Sequence, residues 1–381
     1  MRKVSCKSPA ESIRFHQRHP EISIDRYVKA KMVELWNSIC GVEKVYLDKR
    51  FWILLRDADM GRSTKSASDQ LLREIRAAVQ QGAIVFPISE SVFFELLKQQ
   101  DLKTRRATAA LIDEFSHGVT LVPYEQRVGQ ELISVFAKLS NMDAEFHGPT
   151  ELVWSKLSYV LGVVHPSSTP FDSTDELVIQ KAFFDHMWQI SLVDMIELLE
   201  SNEDLVRDAF SDTAEHLNKL NRQHQSEVRK FKQVYLDEFR GALSLFMHIP
   251  RMWLENSYAR ESNSSLSLTD NERRAQEYKL HTVFGSLVTK KRVALMMPSL
   301  HIPALCHAAV RWDKGRKLAP NDFYDFKHAA AAVGYCNAFM TEKPLRTMLQ
   351  QKHLGLEKDF PCTVISDIDE AISWIRGRVG G

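Results

Sequence analysis

The chain has 381 residues, of which 44% are hydrophobic and 26% charged, and its 50 lysines and arginines nearly balance its 49 aspartates and glutamates. This is the composition of an ordinary globular protein, and the length predicts two or three structural units. The balance of charge excludes a strongly basic nucleic-acid-coating protein and an acidic disordered chain, but it permits a nuclease with a local basic rim.

The cysteine pattern argues against a disulfide scaffold. The cysteines are Cys6, Cys40, Cys306, Cys336 and Cys362. Their number is odd and no two form a Cys-X-X-Cys pair, so reduced thiols are expected. His301, Cys306 and His307 lie close together but have no second ligand pair elsewhere, which argues against a structural zinc site.

The sequence also lacks the apolar segments that secretion and membrane insertion require. Its first residues are basic and then polar, without the apolar core of a signal peptide. No run approaches the ~18 apolar residues that cross a bilayer. We therefore expect a cytoplasmic protein that makes no contact with a membrane.

Strands and helices alternate in the first third of the chain. Residues 1–43 have the apolar spacing of a helical lead-in. Over residues 44–125 the pattern predicts strands at 45–48, 83–87 and 119–122, and helices at 68–81, 89–97 and 104–116. Such alternation is typical of a parallel sheet with helices on both faces.

The middle of the chain, residues 126–290, has almost only helical periodicity, and we expect a large all-helical insertion there. One apolar stripe extends over residues 203–246, a run that would span roughly 65 Å as an unbroken helix. This favours a helical hairpin or a small bundle, since no strict heptad persists. A segment this long suggests a purpose beyond connection, such as gating access, selecting substrate, or binding a protein partner or a second copy of the chain.

The alternation returns over residues 291–381. The pattern predicts strands at 292–297, 338–341 and 362–366, and helices at 326–335, 345–351 and 368–375. The simplest architecture is one α/β domain that is assembled from residues 44–125 and 291–381, with the helical insertion between its halves.

Five acids follow predicted strands or open the next helices, where α/β domains place functional groups. They are Asp48, Glu95, Asp322, Asp325 and Glu342. Carboxylates that converge repel one another unless a cation lies between them, and hard ions such as Mg²⁺ or Mn²⁺ take oxygen ligands. Asp322 and Asp325 also suit a plainer role, since acids favour helix N-termini.

The order and spacing of four segments resemble PIN-domain nucleases. The segments are Val45-Tyr46-Leu47-Asp48, residues 88–97 with Glu95-Leu96-Leu97, residues 321–330 with Asp325, and Phe339-Met340-Thr341-Glu342-Lys343. Asp48 ends the first strand, Glu95 lies in the second motif, and Asp325 opens a helix sixteen residues before Thr341. The resemblance implies a PIN-like parallel sheet flanked by helices.

The same resemblance implies a metal-dependent endoribonuclease that cuts single-stranded RNA. In it Asp48, Glu95 and Asp325 would bind Mg²⁺ or Mn²⁺, with Asp322 or Glu342 completing the set. A hydroxyl at a strand end, here Thr341, either orients a water or an acidic ligand, or simply closes the strand.

Charge is unevenly spread along the chain. Residues 290–317 carry seven basic residues and one acid, a net charge of +6, whereas residues 172–215 carry twelve acids and two basic residues, a net charge of −10. Within the first stretch, Arg311, Lys314, Arg316 and Lys317 run up to Asp322 and would form a rim for the RNA backbone. The alternative is a solvated loop. The acidic stretch suits a solvated helix face or a partner surface.

Two other functions stay open at this point. Lys343 stands where the resemblance leads one to expect an acid, which motivates an inactive PIN-like module for RNA binding or assembly. A helical interaction protein whose α/β ends frame the insertion is a further alternative. Nucleotide-binding loops and a Gly-X-Ser-X-Gly elbow are absent from the sequence, which disfavours nucleotide-dependent enzymes and serine hydrolases.

Overall fold

The computed structural model describes residues 8–139, 147–199, 210–262 and 268–379. The strands are β1 (Glu43–Leu47), β2 (Ile84–Val85), β3 (Val119–Leu121), β4 (Trp154–Lys156), β5 (Ala338–Met340) and β6 (Thr363–Ile365). The helices are α1 (Pro9–Gln17), α2 (Ile24–Ile39), α3 (Lys49–Asp59), α4 (Ser66–Gln80), α5 (Glu90–Leu97), α6 (Leu102–Ser116), α7 (Tyr124–Leu139), α8 (Pro149–Leu152), α9 (Ser173–Met187), α10 (Leu192–Leu199), α11 (Ser211–Gln223), α12 (Phe231–Ser244), α13 (His248–Ser262), α14 (Asp270–Leu287), α15 (Lys291–Ala294), α16 (Pro298–Trp312), α17 (Pro320–Tyr335), α18 (Lys343–Leu349), α19 (Leu356–Asp359) and α20 (Ile368–Val379). The described chain is mainly helical around a few short strands.

Four parallel strands form the central sheet, in the order β2-β1-β5-β6. Tyr46 of β1 lies opposite Phe339 of β5, which lies opposite Val364 of β6. Val45, Tyr46 and Leu47 are buried, as expected for a strand that is covered on both faces. The first and last parts of the chain therefore share one parallel sheet, and the architecture is α/β.

Strands β3 and β4 form a separate two-stranded antiparallel sheet. Ile88, just after β2, forms a parallel bridge with Thr120 of β3. β4 lies within residues 126–290, so the prediction that this segment is all-helical is wrong at this point. Its three residues are too few to show a strand period in the sequence, and Trp154 is buried because β4 pairs with β3.

The predicted helices of the α/β region form with their apolar faces inward. In α4, Leu71, Leu72, Ile75 and Val79 are buried, and the helix packs against α3 and α20. This confirms the apolar spacing that predicted a helix at 68–81, and it shows that the last helix of the chain also covers this part of the sheet.

The two N-terminal helices, α1 and α2, are joined to α9 by the carboxylate of Asp185. Asp185 of α9 accepts hydrogen bonds from Ser12 Oγ (2.5 Å) and from Tyr27 Oη (2.6 Å), and His16 Nε2 lies 3.0 Å from it. Ser12 and His16 are buried. The described part of residues 1–43 is therefore packed against α9.

The predicted apolar stripe over residues 203–246 belongs to two helices rather than one. α11 ends at Gln223 and α12 begins at Phe231, while residues 200–209 lie outside the described part of the chain. α12 packs against α16 and α14, and α11 lies against α17. Phe239 and Leu243 of α12 are fully buried in a second apolar core, which they share with Phe284 and Leu300.

The strand predicted at 292–297 is wrong, because the residues form the short helix α15 and a turn before Pro298 opens α16. A short apolar run cannot by itself distinguish a strand from a buried helical turn. Cys40, Cys306, Cys336 and Cys362 are free thiols, while Cys6 lies outside the described residues. Among the described helices, none combines the length and the hydropathy that crossing a bilayer requires.

Candidate active site

Asp48 lies at the carboxyl edge of the sheet, directly after β1. Its N–H donates to Met340 O of β5 (3.1 Å), so the ends of these parallel strands meet. As the residue before α3, it caps that helix: Oδ1 accepts from the N–H groups of Arg50 (3.0 Å) and Phe51 (3.3 Å). Oδ2 accepts from the N–H of Glu342 (2.9 Å). Backbone groups from two elements therefore fix this carboxylate.

Burial disfavours the ionised form of the Asp48 carboxyl group. Its side chain is 7% exposed, and burial raises its pKa to about 6. The Thr341 hydroxyl and His328 act in the opposite direction, whereas Glu95 adds to the increase. The pKa of Asp48 therefore depends on Glu95 of α5 and on His328 of α17.

Asp325 is partly buried in the second turn of α17, and it accepts no hydrogen bond from the described residues. Burial raises its pKa to about 7; His328 lowers this pKa, while Asp322, Asp48 and Glu95 raise it further. Glu95 thus lies near enough to raise the pKa of both Asp48 and Asp325, and Asp48 raises that of Asp325.

His328, one turn after Asp325, lies inside this group of acids. It is 2% exposed, and its Nε2 lies 3.3 Å from Glu95 Oε2, within ion-pair distance but without hydrogen-bond alignment. Its Nδ1 lies 2.7 Å from the hydroxyl of Tyr46, which lies 2.7 Å from Ser89 Oγ. Burial lowers the pKa of His328, but Glu95 and the two aspartates more than offset this and raise it above its ordinary value.

We call Asp48, Glu95, Asp325, His328 and Thr341 the acid site. His328 follows Asp325 by three residues and so shares its face of α17. Its contact with Glu95 depends on how α17 packs against α5, which no local pattern shows. The same packing brings the hydroxyl of Tyr46, and through it that of Ser89, next to the acid site.

Asp322 is engaged at the start of α17. Its Oδ2 accepts from the N–H of Ala319 (2.7 Å), and its Oδ1 accepts from Arg316 Nη2 (2.8 Å). This is the helix-capping role that acids favour at N-termini. Both of its oxygens have protein partners, so a metal ion bound there would compete with Arg316.

Thr341 and Glu342 follow β5 and differ in exposure. Thr341 is buried beside Asp48, and its Oγ1 makes no aligned hydrogen bond with the described residues. Glu342 has an exposed side chain and reaches Asp48 only through its backbone N–H. Lys343 is exposed as well.

The four basic residues predicted to form a rim lie in different surroundings. Arg311 pairs with Glu238 of α12 (3.0 Å), and Arg316 pairs with Asp322 at the edge of the acid site. Lys314 and Lys317 are exposed between α16 and α17.

Two other lysines lie beside the acid site, and the sequence did not indicate them. Lys98 Nζ lies 4.0 Å from the ring centre of Tyr324, next to Asp325 in the chain, and Lys327 Nζ lies 5.5 Å from that of Phe210. A search for Lys or Arg within one turn of each candidate acid would have found both.

The donors of the acid site suit a hard divalent cation. Carboxylate and hydroxyl oxygens are the ligands that Mg²⁺ and Mn²⁺ prefer, and buried Glu95 Oε2 and Thr341 Oγ1 make no aligned hydrogen bond within the described part of the chain. Within the described ranges, no three His, Cys, Asp or Glu side chains already converge closely enough to hold an ion. The fit therefore rests on donor chemistry and on the mutual repulsion of the carboxylates.

Comparison of the chain with models of protein families, with curated proteins and with solved structures gave no match.

Proposed function

We propose that this protein is a divalent-metal-dependent phosphodiesterase with a PIN-like sheet, and that it cuts single-stranded RNA internally. One observation carries the proposal: Asp48, Glu95 and Asp325 come from three separate elements, and Glu95 lies close enough to both aspartates to raise their pKa beyond the increase that burial causes. Buried carboxylates that repel one another are destabilising, and natural proteins keep such strain mainly at functional sites.

Each acid has a distinct part in the proposed site. Asp48 is the fixed ligand, because three backbone N–H groups hold its oxygens in place. Asp325 is the adaptable ligand, because the described residues donate no hydrogen bond to its carboxylate. Glu95 lies within ion-pair distance of His328, and one of its buried oxygens makes no aligned hydrogen bond with the described residues. A fixed ligand together with an adaptable one would allow the site to close around an ion.

When bound, Mg²⁺ or Mn²⁺ would supply the acidity that activates water and the charge that stabilises a phosphodiester's leaving oxygen. The buried Thr341 hydroxyl lies where it would orient the attacking water or the Asp48 carboxylate. The exposed Glu342 side chain, one residue further on, would be the fourth acid of the proposed set and would have to turn inward from the surface to act.

Single-stranded RNA is the substrate that the PIN-like resemblance supports. A phosphate backbone near so many carboxylates needs compensating positive charge. Lys98 and Lys327 supply it beside α5 and α17, and Lys314 and Lys317 supply it on the segment before α17. These lysines would hold backbone phosphates without reading the sequence of bases.

The test is cleavage of an end-labelled single-stranded RNA by wild type and by Asp325→Asn, with Mn²⁺ or with EDTA. Loss of a ligand should lower the cleavage rate about a thousandfold, the effect of several kcal/mol on the transition state. Asp237→Asn is the matched control, because Asp237 is an exposed aspartate on α12, and this variant should cut like wild type. Equal cutting by wild type and Asp325→Asn would overturn the proposal.

A second candidate function is a PIN-like module that binds RNA without cutting it. The position of His328 favours this candidate, because the acids around it raise its pKa, and the protonated imidazole next to Glu95 would offset part of the negative charge that a metal ion would offset. This module would bind RNA equally well in EDTA and in Mn²⁺, and Asp48→Asn would leave its affinity unchanged. RNA binding by wild type without any cleavage would favour it over the nuclease.

A further inference from the structure

A cavity of about 270 Å³ lies where α12 packs against α16, apart from the residues of the acid site. Its walls are mostly apolar side chains of the two helices and of the segment before α19. They include Phe231, Tyr235, Leu236, Leu305 and Leu354. The ring of Phe231 meets that of His353 edge-on at 4.5 Å, so part of the wall is aromatic.

One polar atom of this wall lacks a hydrogen-bond partner among the described residues. His301 of α16 is 4% exposed and lines the cavity, and its Nε2 is buried and receives no hydrogen-bond partner from the described part of the chain. Its Nδ1 lies 2.7 Å from the hydroxyl of Tyr235. Burial lowers the pKa of His301 to about 4, so the ring is neutral near pH 7 and carries one proton.

The hydrogen bond to Tyr235 determines which nitrogen of His301 carries that proton. The Tyr235 hydroxyl has no other hydrogen-bond partner among the described residues. A phenol hydroxyl is a stronger donor than the N–H of a neutral imidazole, and an imidazole nitrogen is a stronger acceptor than a phenol oxygen, so we assign the hydroxyl as the donor and Nδ1 as the acceptor. The ring proton is then on Nε2, which becomes a buried donor that needs an acceptor.

The mouth of the cavity is positively charged overall. Lys291 pairs with Asp359 across it (2.6 Å), and Lys232, which also lines the cavity, is exposed. Two lysines and one aspartate leave one positive charge in excess. A cationic ligand would be disfavoured there, whereas a neutral molecule or a single negative charge would not.

We propose that this cavity binds a small, flat, mostly aromatic molecule that carries a hydrogen-bond acceptor and no positive charge. Apolar walls with a few placed polar groups are typical of small-molecule sites. An apolar cavity of about 150 Å³ accommodates benzene, so the larger volume here suits a bicyclic ring. The ligand would tie α12 to α16, which packs against the helix that carries Asp325.

The test uses quinoline, a bicyclic ring with one acceptor nitrogen, and naphthalene, which has the same shape and no acceptor. Binding to the full chain is followed by ligand-observed NMR titration. We expect saturable binding of both probes, with quinoline about fivefold tighter, the contribution of one hydrogen bond. His301→Leu should bring the affinity for quinoline down to that for naphthalene.

A rim variant tests the location without altering the core. Thr289 is exposed and lines the cavity, so Thr289→Trp should fill its mouth and weaken both probes at least tenfold. Thr282→Trp is the matched control, because Thr282 is exposed on α14 outside the cavity lining, and it should bind like wild type. Non-saturable binding, or quinoline binding that Thr289→Trp leaves unchanged, would overturn the proposal. Self-association that Thr289→Trp abolishes, without probe binding, would assign the cavity to a contact between copies and would equally overturn it.

Discussion

The molecule buries carboxylates in two places that differ in how their oxygens are partnered. In the first, Glu90 and Glu131 lie on α5 and α7 around the fully buried Arg127. Both Glu90 oxygens accept from Arg127, at 3.3 and 3.4 Å, and one also accepts from the N–H of Tyr124. Both Glu131 oxygens accept from the N–H of Ser299, and one also accepts from the Tyr335 hydroxyl. We call this group the Arg127 cluster.

In the acid site, by contrast, several oxygens lack a fixed hydrogen-bond donor in the described part of the chain. Among the residues that the structure describes, buried Glu95 Oε2 and Thr341 Oγ1 make no aligned hydrogen bond, and Asp325 accepts none. Arg127 provides a permanent cation, whereas the acid site has an imidazole, whose charge depends on pH. Burial raises the pKa of Glu131 to about 7, much as it raises that of Asp325, so what separates the two places is the partnering of the oxygens. The comparison teaches that buried acids with fixed donors belong to the packing of the fold, whereas buried acids without such donors are kept where they bind something.

The largest effect on stability should come from the Arg127 cluster. Arg127→Met would leave Glu90 buried without its cation, and we expect the free energy of unfolding to fall by about 3–5 kcal/mol. Arg76→Met is the matched control, because Arg76 pairs with Asp59 and Glu114 at the surface, and it should cost less than about 1 kcal/mol. Urea denaturation measures both. A similar fall in the free energy of unfolding for the two variants would mean that burial of the Arg127 cluster does not increase its contribution to stability.

The acid site should respond in the opposite direction. The pKa of Asp325 is raised from 3.8 to about 7 in the folded chain, so its ionisation opposes folding. The resulting loss of stability is absent below about pH 4, grows between pH 4 and 7, and is constant above pH 7. Asp325→Asn in EDTA should therefore be more stable than wild type at pH 8. We expect a gain of about 2 kcal/mol, less than the full shift because the buried amide is still desolvated.

Mn²⁺ should reverse this order of stability. An ion that binds the folded wild type adds free energy that Asp325→Asn cannot recover. Thermal or urea unfolding at pH 8, with EDTA and then with saturating Mn²⁺, measures the reversal, and Asp237→Asn should follow wild type in both conditions. If wild type is more stable than Asp325→Asn in EDTA at pH 8, the ionised Asp325 carboxylate does not oppose folding, and this part of the comparison is wrong.

The sequence predicted the parts of the fold and of the site that depend on strand order. Asp48 and Thr341 follow apolar runs that pair as parallel neighbours, so their proximity follows from topology alone. Short elements were less predictable. β4 has three residues, and residues 292–297 form a helical turn instead of a strand, because a few apolar residues satisfy either period.

Side-chain placement was the other part that the sequence could not supply. His328 meets Glu95 because of the rotation of α17 about its axis, which tertiary packing sets. Asp322 is held by Arg316, a partner whose position depends on the segment before α17. Arg127 lies in a segment of plain helical periodicity, and nothing in that pattern shows that it is fully buried.

The smallest expected effect concerns the hydroxyl that orients the imidazole of the acid site. Tyr46→Phe removes the group that lies 2.7 Å from His328 Nδ1 and leaves Ser89 Oγ to the N–H of Ser91. We expect unfolding to become easier by about 1 kcal/mol. Because second-shell partners fix ligand geometry, the affinity for Mn²⁺ should fall about tenfold.

Tyr159→Phe separates the two consequences of removing that hydroxyl. Tyr159 is also buried, and its hydroxyl donates one long hydrogen bond to Phe184 O (3.4 Å), outside the acid site. It should lose a similar or smaller amount of stability and keep the wild-type affinity for Mn²⁺, as measured by titration of the metal against thermal unfolding. Equal Mn²⁺ affinities in the two variants would show that His328 does not position Glu95. The acid site would then resemble the Arg127 cluster, with buried polar groups that contribute to stability alone.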